Sequence, residues 1–183
     1  MEIIKQSLKK IIEAIKAGKV VVCPTDTVYG LVCDVTNKKA IGKLFKIKKR
    51  PKNKPIPIFV KDLKMAKKLA CINKKQEEFL KKVWPGKVTV VLKRKGGKGT
   101  IGLRIPRHQW LLDLVKQLNR PLTGTSANIS GKPASTKIKE VLKQFTLSRV
   151  EGPDLVIDAG NLPGSKPSKV IDLTVFPYKI LRK

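Results

Sequence analysis

Apolar residues recur with helical spacing in six parts of the chain. In residues 7–16, Leu8, Ile11 and Ile15 fall on one face, and Gly18 is well placed to end the helix. The same periodicity predicts five more helices, over residues 37–50, 62–70, 73–83, 109–119 and 136–145. Asn37 and Thr136 are the predicted N-caps of two of them.

Short apolar runs between these helices predict β-strands. They occupy residues 20–23, 56–60, 88–93, 101–105, 155–159, 170–173 and 178–181. No strand is predicted in residues 1–5, which are expected to lead directly into the first helix. Alternating helices and strands indicate a mixed α/β (α+β) fold, and 183 residues fit one domain over residues 1–183.

Two hydroxyl-rich turns follow apolar runs. Residues 24–31 (PTDTVYGL) come after the first strand, and residues 121–131 (PLTGTSANISG) have the same character. Strand ends that open into polar loops are common ligand sites in α/β proteins, so the two turns could line one anion-binding cavity. Ordinary Asx and Ser/Thr turns are the alternative interpretation.

Composition limits the class of protein. An apolar fraction of 41% can fill a core. Apolar runs stay well below the ~20 residues of a membrane span, and the N-terminal sequence lacks a secretory pattern. We therefore expect a cytoplasmic protein.

The charge is strongly positive, with 41 lysines and arginines against 13 acidic residues and a net charge of +28. Too few acids are present to pair these cations in networks of the thermophile type. Such a field attracts polyanions, including RNA and nucleotides.

Metal binding and covalent catalysis are poorly supported. Cys23, Cys33 and Cys71 lack metal-ligand spacing and are expected to be reduced thiols, most of them buried. His108, the single histidine, is interpreted as a surface or helix-capping residue. The chain has no Walker A motif, and the glycine pattern of residues 97–102 opens a strand where a dinucleotide site needs a helix.

A set of anion-binding side chains remains. Lys48 and Arg50 lie at a predicted helix end before Pro51, where either a phosphate-binding role or a solvated helix end fits the spacing. Ser126 and Asn128 can donate hydrogen bonds from the second turn. Such residues suit catalysis by positioning and electrostatics, as in phosphoryl and nucleotidyl transfer.

Seven sequence blocks resemble, in order, the YrdC-like threonylcarbamoyl-AMP synthases. They are residues 24–31, 48–51, 84–89, 104–106, 125–131, 167–172 and 180–182. The resemblance implies a twisted mixed sheet flanked by helices, with a concave basic cavity. It also implies synthesis of threonylcarbamoyl-AMP and pyrophosphate from L-threonine, bicarbonate and ATP. The product would serve the N6-threonylcarbamoyladenosine modification at position 37 of tRNA, completed by a separate transferase machinery.

The resemblance also implies residue roles. It assigns ATP binding to Lys48, Arg50, Lys54, Thr100, Ser126, Asn128 and Arg182. It assigns threonine binding to Thr27, Arg104, Gly124 and Ser168. Mg²⁺ is expected to be held through the ATP phosphates, because few carboxylates are present.

Three positions depart from the pattern of the family that the chain resembles. Phe59 stands where longer members often carry histidine, Lys54 where they often carry asparagine, and Ala134 where some carry a nucleotide-contacting serine. Closure over the ligand is hypothesised to involve a flap at residues 160–169, which are rich in Gly, Pro, Ser and Lys.

Two other functions are compatible with the sequence. A non-catalytic RNA-binding protein, with tRNA or rRNA as partner, would explain the charge of +28. A carbamoyl-adenylate-forming enzyme is favoured less, because the companion domains of the hydrogenase-maturation proteins are absent.

Overall fold

Helices form where the apolar periodicity predicts them. The computed structural model describes residues 1–5, 7–51, 53–147 and 151–183. Its helices are α1 (Leu8–Lys16), α2 (Lys38–Lys48), α3 (Leu63–Leu69), α4 (Lys74–Val83), α5 (Gln109–Leu118) and α6 (Ile138–Thr146). All six correspond to predicted helices.

Side-chain caps fix most of the helix starts. Asn37 accepts a hydrogen bond from the Ala40 N–H at 3.1 Å. His108 accepts one from the Leu111 N–H at 3.3 Å, which confirms its capping role. The prediction for Thr136 is wrong, because α6 begins after Lys137 and has no side-chain cap bond. The Thr136 carbonyl instead accepts a hydrogen bond from the Leu162 N–H, which joins the segment before α6 to the segment that follows residue 158.

The strands divide between two mixed sheets. They are β1 (Glu2–Lys5), β2 (Val21–Cys23), β3 (Gly30–Val32), β4 (Ile58–Phe59), β5 (Val88–Lys93), β6 (Thr100–Arg104), β7 (Leu122–Thr123), β8 (Thr125–Ser126), β9 (Leu155–Asp158), β10 (Lys169–Asp172) and β11 (Lys179–Arg182). One sheet has the order β1-β9-β2-β3-β8 and the other β11-β10-β5-β6-β4-β7. Both combine parallel and antiparallel pairs, which confirms the predicted fold class.

Alternate residues of β2 face two different hydrophobic cores on opposite sides of the first sheet. Val21 and Cys23 face a core that α1, α3, α4, α5 and the second sheet share. Val22, on the opposite face of β2, packs in a second core with α2 and α6. The central strands are therefore covered on both sides, which fixes their register and the turns at their ends.

Four strands were not predicted from sequence. β1 pairs in parallel with β9, so residues 1–5 do not lead directly into α1. β3, β7 and β8 are two or three residues long and belong to the two polar turns or their margins. Their backbone pairing brings the turns together, because Gly30 of β3 pairs with Ser126 of β8.

The cysteines are reduced, with two of the three buried. Burial raises the pKa of the Cys23 thiol, and of the Cys33 thiol, to about 12, whereas Cys71 is exposed. In the part of the chain that the structure describes, no three His, Cys, Asp or Glu side chains converge as a metal site would require. No helix in the same part has both the length and the apolar character needed to cross a bilayer.

Candidate functional site

A cavity of about 450 Å³ opens where the two turns meet the second sheet. β3 and β8 contribute to its wall from one sheet, and β4, β6, β10 and β11 from the other. Eight of the eleven residues predicted to bind substrate line it: Thr27, Arg50, Arg104, Gly124, Ser126, Asn128, Ser168 and Arg182. Lys48, Lys54 and Thr100 do not.

Internal hydrogen bonds hold the first turn in shape. The buried Thr25 hydroxyl donates to the Val28 carbonyl at 2.6 Å and accepts from the Thr27 N–H at 3.1 Å. The Thr25 and Thr27 hydroxyl oxygens lie 3.1 Å apart. Thr27 therefore has a fixed position on the cavity wall, where its hydroxyl could contact a small polar ligand.

Arg104 is the most firmly held cation of the cavity. Its Nη2 forms a 2.6 Å ion pair with Oδ2 of Asp26, and its Nε donates to the Gly86 carbonyl at 2.8 Å. The two side chains of the pair are only 4% and 5% exposed. Burial lowers the pKa of Arg104 while Asp26 opposes that shift, and an arginine keeps its charge at any physiological pH. Among the described residues Nη1 has no hydrogen-bond partner, so its N–H groups can donate to a carboxylate of a ligand.

Asp26 is bound on one side only. Its Oδ2 accepts from both Arg104 and the Arg107 N–H, the latter at 3.0 Å. Its Oδ1 is buried and has no hydrogen-bond partner among the described residues. The carboxylate thus serves mainly to orient Arg104, a role that sequence reasoning did not assign because the two residues are 78 positions apart.

Gly124 leaves room for the Phe59 ring. A Cβ at position 124 would lie 3.0 Å from two ring carbons of Phe59, closer than side-chain atoms normally pack. The Arg104 guanidinium lies 5.9 Å from the centre of the same ring. Phe59 therefore forms an apolar wall beside the cation.

The second turn presents Ser126 and Asn128 to the cavity. The Ser126 hydroxyl donates to Oδ1 of Asn128 at 2.6 Å, and the Asn128 amide nitrogen donates to the Lys132 carbonyl. Lys132 and Ala134 also line the cavity. Lys132, which was not predicted, places a further cation beside this turn.

Lys48 supports the second turn from behind. Its Nζ donates to the Ser126 carbonyl at 2.6 Å and to the carbonyl and Oδ1 of Asn128, both at 3.0 Å. The residue is 2% exposed, so it is not a solvated helix end, and it lies outside the cavity lining. Burial, followed by the charge of Arg50, lowers the pKa of Lys48 to about 7.

Two further arginines approach the cavity. Arg50 donates from Nη2 to the Pro55 carbonyl at 2.9 Å and from Nε to the Lys54 carbonyl at 3.1 Å. Lys54 thus contributes its backbone, while its own side chain is exposed. Arg182 donates to the Ser168 carbonyl and, at 3.1 Å, to the Ser168 hydroxyl. Burial lowers the pKa of both arginines, yet both keep their charge.

Thr100 lies apart from the other predicted residues. It occupies the same face of β6 as Arg104, because side chains alternate along a strand. It is four residues away, about 13 Å along the strand, and is exposed. The structure does not bring it into the cavity.

Tyr29 links the cavity to the predicted flap. Its hydroxyl donates to the Gly160 carbonyl at 2.7 Å and accepts from the Ala159 N–H at 3.1 Å. Sequence reasoning gave Tyr29 no role, because an aromatic residue in a turn carries no signal of its partners. The residue anchors the start of residues 160–169, whose closure remains a hypothesis.

Comparison with known families gives one match over most of the chain. Residues 13–183 match the Sua5/YciO/YrdC family, which carries the description "Telomere recombination". A relative from Methanocaldococcus jannaschii is 39% identical over 183 residues, covering 94% of this chain and 84% of the relative. A Pyrococcus abyssi protein named threonylcarbamoyl-AMP synthase is 36% identical over 177 residues, covering 92% of this chain and 51% of that protein.

Solved structures have the same fold. The crystal structure of P. abyssi Sua5 complexed with L-threonine superposes with a TM-score of 0.87 at 32% identity, over 99% of this chain and 56% of that one. The structure of Escherichia coli YciO gives a TM-score of 0.85 at 24% identity, over 100% of this chain and 93% of that one, a similarity of fold alone. The chain therefore spans about half of the P. abyssi proteins and most of the M. jannaschii relative.

Proposed function

Because the chain belongs to the Sua5/YciO/YrdC family, we propose that it is a threonylcarbamoyl-AMP synthase, with L-threonine, bicarbonate and ATP as substrates. The observation that carries the proposal is the arrangement of Thr27 and the Asp26-bound Arg104 in one cavity with Ser126, Asn128, Arg50 and Arg182. The three arginines and the two turns can bind one carboxylate and one triphosphate.

Threonine would occupy the part of the cavity near Arg104. The free Nη1 of Arg104 would bind the amino acid carboxylate, and Thr27 would hydrogen-bond a polar group of the substrate. The Phe59 ring would pack against the threonine methyl group, with Gly124 providing the space beside it. The part of the cavity beside Arg104 is bounded by the Phe59 ring, which favours a small amino acid.

ATP would lie along the second turn. The Ser126 hydroxyl, whose proton is donated to Asn128, would accept a hydrogen bond from the nucleotide, and the second amide hydrogen of Asn128 would donate one. Arg50 and Arg182 would neutralise the phosphates. Lys48 would act through the Ser126–Asn128 turn, which it holds in place. Mg²⁺ would enter as the ATP complex, coordinated by phosphate oxygens and water.

The reaction would proceed by positioning and charge neutralisation. The threonine amine and bicarbonate combine to a carbamate with loss of water. A carbamate oxygen then attacks the α-phosphorus of ATP, and the bond to the β-phosphate oxygen breaks to release pyrophosphate. Arg50 and Arg182 would stabilise the charge on the departing pyrophosphate, which makes the protein a nucleotidyltransferase in this proposal.

Pyrophosphate release tests the proposal. We expect release to require threonine, bicarbonate and ATP together, and the nucleotide product to have the mass of threonylcarbamoyl-AMP. Arg50→Ala and Ser126→Ala should each reduce the rate by about 100-fold or more while leaving the fold intact. Lys46→Ala, an exposed change on the same helix as Lys48, is the matched control. Release without threonine, or near-normal rates in both variants, would contradict the proposal.

A further inference from the structure

A second cavity, separate from the candidate substrate site, combines an exposed and a half-buried aromatic ring with lysines. It has a volume of about 540 Å³ and includes Phe176, Tyr178, Lys75, Lys93 and Cys71 in its wall. We call it the aromatic cavity. The substrate cavity contains Ser168 just before β10, whereas Leu173, just after β10, lines the aromatic cavity. Ser168 and Leu173 are five residues apart, about 17 Å along an extended chain, so the two cavities open toward opposite ends of this strand.

Phe79 and Tyr178 pack against the main hydrophobic core, whereas the Phe176 ring beside them extends into solvent. Phe176 is 83% exposed and the adjacent Val175 is 47% exposed. The Phe176 and Tyr178 rings meet edge to face with centroids 5.9 Å apart, and Phe79 supports Tyr178 from behind at 5.2 Å. The chain has only nine aromatic residues, and three of them are in this cluster. The exposed Phe176 ring presents apolar area that a ligand could cover.

The wall of the aromatic cavity is preformed. Gln76 donates from Nε2 to the Leu173 carbonyl at 2.7 Å, and its Oε1 accepts from the Asn73 N–H at 3.0 Å. The Cys71 N–H donates to the Lys93 carbonyl at 2.9 Å. The Asp172 carboxylate accepts from the N–H and hydroxyl of Thr174, which fixes the start of the segment that carries Phe176. The rings are thus held on structure that α4, β5 and β10 support.

Positive charge surrounds these rings. Lys75 Nζ lies 6.0 Å from the centre of the Phe176 ring. Residues 61–98, which include α3, α4 and β5, contain 13 lysines and arginines but only three acidic residues. One of those acids, Glu77, is already paired with Lys67 and Lys81. A partner that is both planar and polyanionic matches this combination.

We infer that the aromatic cavity binds single-stranded nucleic acid, with an unstacked base on the Phe176 ring and the flanking phosphates on Lys75, Lys93 and neighbouring lysines. Stacking on aromatic side chains combined with a basic surface is the usual means of binding single strands without sequence specificity. A cavity of about 540 Å³ is large enough for a base and part of its sugar. This surface is separate from the substrate cavity, so the inference does not depend on the proposed function.

The test uses the full chain and a fluorescein-labelled single-stranded RNA oligonucleotide about 12 nucleotides long, a length within the range of single-strand binding sites. Phe176→Ala should weaken RNA binding by about 5- to 150-fold, the effect of losing one stacked base. It should leave the salt dependence unchanged, because no charge is removed. Phe176→Tyr should retain the affinity. Leu147→Ala, at an exposed apolar position next to α6, is the matched control and should bind like the wild type.

Lysine variants test the phosphate contacts. Lys75→Gln should weaken binding and reduce the slope of log affinity against log salt by about 0.7. Lys139→Gln, on α6 beside the other hydrophobic core, should change the slope less. Bound RNA should also protect the exposed Cys71 from a thiol reagent. A DNA oligonucleotide of the same sequence shows whether the ribose contributes, and binding of either strand through Phe176 supports the inference.

Three results would overturn it. Phe176→Ala could bind RNA as tightly as the wild type, or it could lose inorganic polyphosphate binding to the same extent as RNA binding. The wild type could also self-associate through Phe176 without RNA, in which case a second copy of the chain covers the rings. In every case pyrophosphate release from the small substrates should be unchanged by Phe176→Ala, which separates a failure of this inference from a failure of the proposed function.

Discussion

At the scale of single residues, the Asp26–Arg104 pair has the clearest consequence. Both side chains are almost fully buried, and the pair places a cation in the substrate cavity. A buried ion pair is seldom a net source of stability, but removing one partner leaves the other charge uncompensated. Asp26 is therefore best understood as the residue that positions Arg104 for a carboxylate.

Asp26→Asn should impair threonine binding selectively. We expect the KM for threonine to rise about tenfold, because the guanidinium loses its charged partner and its fixed orientation. The free energy of unfolding should fall by about 3 kcal/mol. The KM for ATP should remain close to that of the wild type.

Steady-state kinetics and denaturant unfolding check both effects. Asp113→Asn, at a half-buried position on α5, is the control, since this carboxylate accepts from the uncharged Gln109 and its one ion pair among the described residues is with the exposed Lys116 at 4.0 Å. An unchanged KM for threonine in Asp26→Asn would show that Arg104 is oriented by Gly86 and Phe59 alone.

At the scale of secondary-structure elements, α2 and the second turn depend on each other. Lys48 is in the last turn of α2, and its ammonium group is bonded to three acceptors of the Ser126–Asn128 segment. An ammonium group has three donors, so the number of acceptors matches it. The helix end thereby fixes the turn proposed to bind the nucleotide.

Lys48→Met should weaken ATP binding in a pH-dependent manner. Below the pKa of about 7 the wild-type side chain is charged, and above that value it releases its proton. The ratio of ATP affinities, wild type over variant, should therefore be about tenfold at a pH one unit below this pKa and should decrease as the pH rises above it. Isothermal titration with ATP at several pH values measures the ratio.

Lys46→Met tests whether position 48 is special. Lys46 is exposed on the same helix, so its variant should bind ATP nearly as well as the wild type at each pH. An equal loss of affinity in both variants would indicate a general effect of charge, and a ratio independent of pH would show that Lys48 keeps its proton throughout.

The same scale shows what the sequence could and could not predict. All six helices were predicted because each carries a buried apolar face, and most have a capping side chain. β1 was missed because its residues are mostly exposed and its partner β9 is some 150 residues away. β7 and β8 are too short for a periodicity to be seen.

The residues of the candidate site also divide into those that the sequence could predict and those that it could not. Thr27, Ser126 and Asn128 lie in turns whose composition marks them as polar strand ends, and they line the cavity as expected. The role of Asp26 depends on a partner 78 residues away, which no local pattern reveals. Thr100 was assigned by resemblance alone, and the geometry of β6 places it outside the cavity.

At the scale of the whole molecule, repulsion among like charges is the dominant electrostatic feature. The chain carries 41 lysines and arginines and only 13 acidic residues, so most cations lack a carboxylate partner. The ion pairs that form include Lys43 with Glu151 and Asp154, and Lys67 with Glu77. A net charge far from zero destabilises the compact state through self-repulsion.

Raising the concentration of sodium chloride should therefore stabilise the protein. Between about 20 mM and about 500 mM salt the Debye length falls from roughly 20 Å to a few ångströms, which screens repulsion between exposed lysines. We expect Tm to rise by roughly 5 °C in differential scanning calorimetry. Chloride is the appropriate anion, because phosphate and sulfate could stabilise the protein by binding its cavities.

A variant with Lys9, Lys139 and Lys179 changed to glutamate, all exposed positions, should show a smaller rise in Tm, since each change lowers the net charge by two. A Tm that falls with salt would mean that the ion pairs outweigh the repulsion.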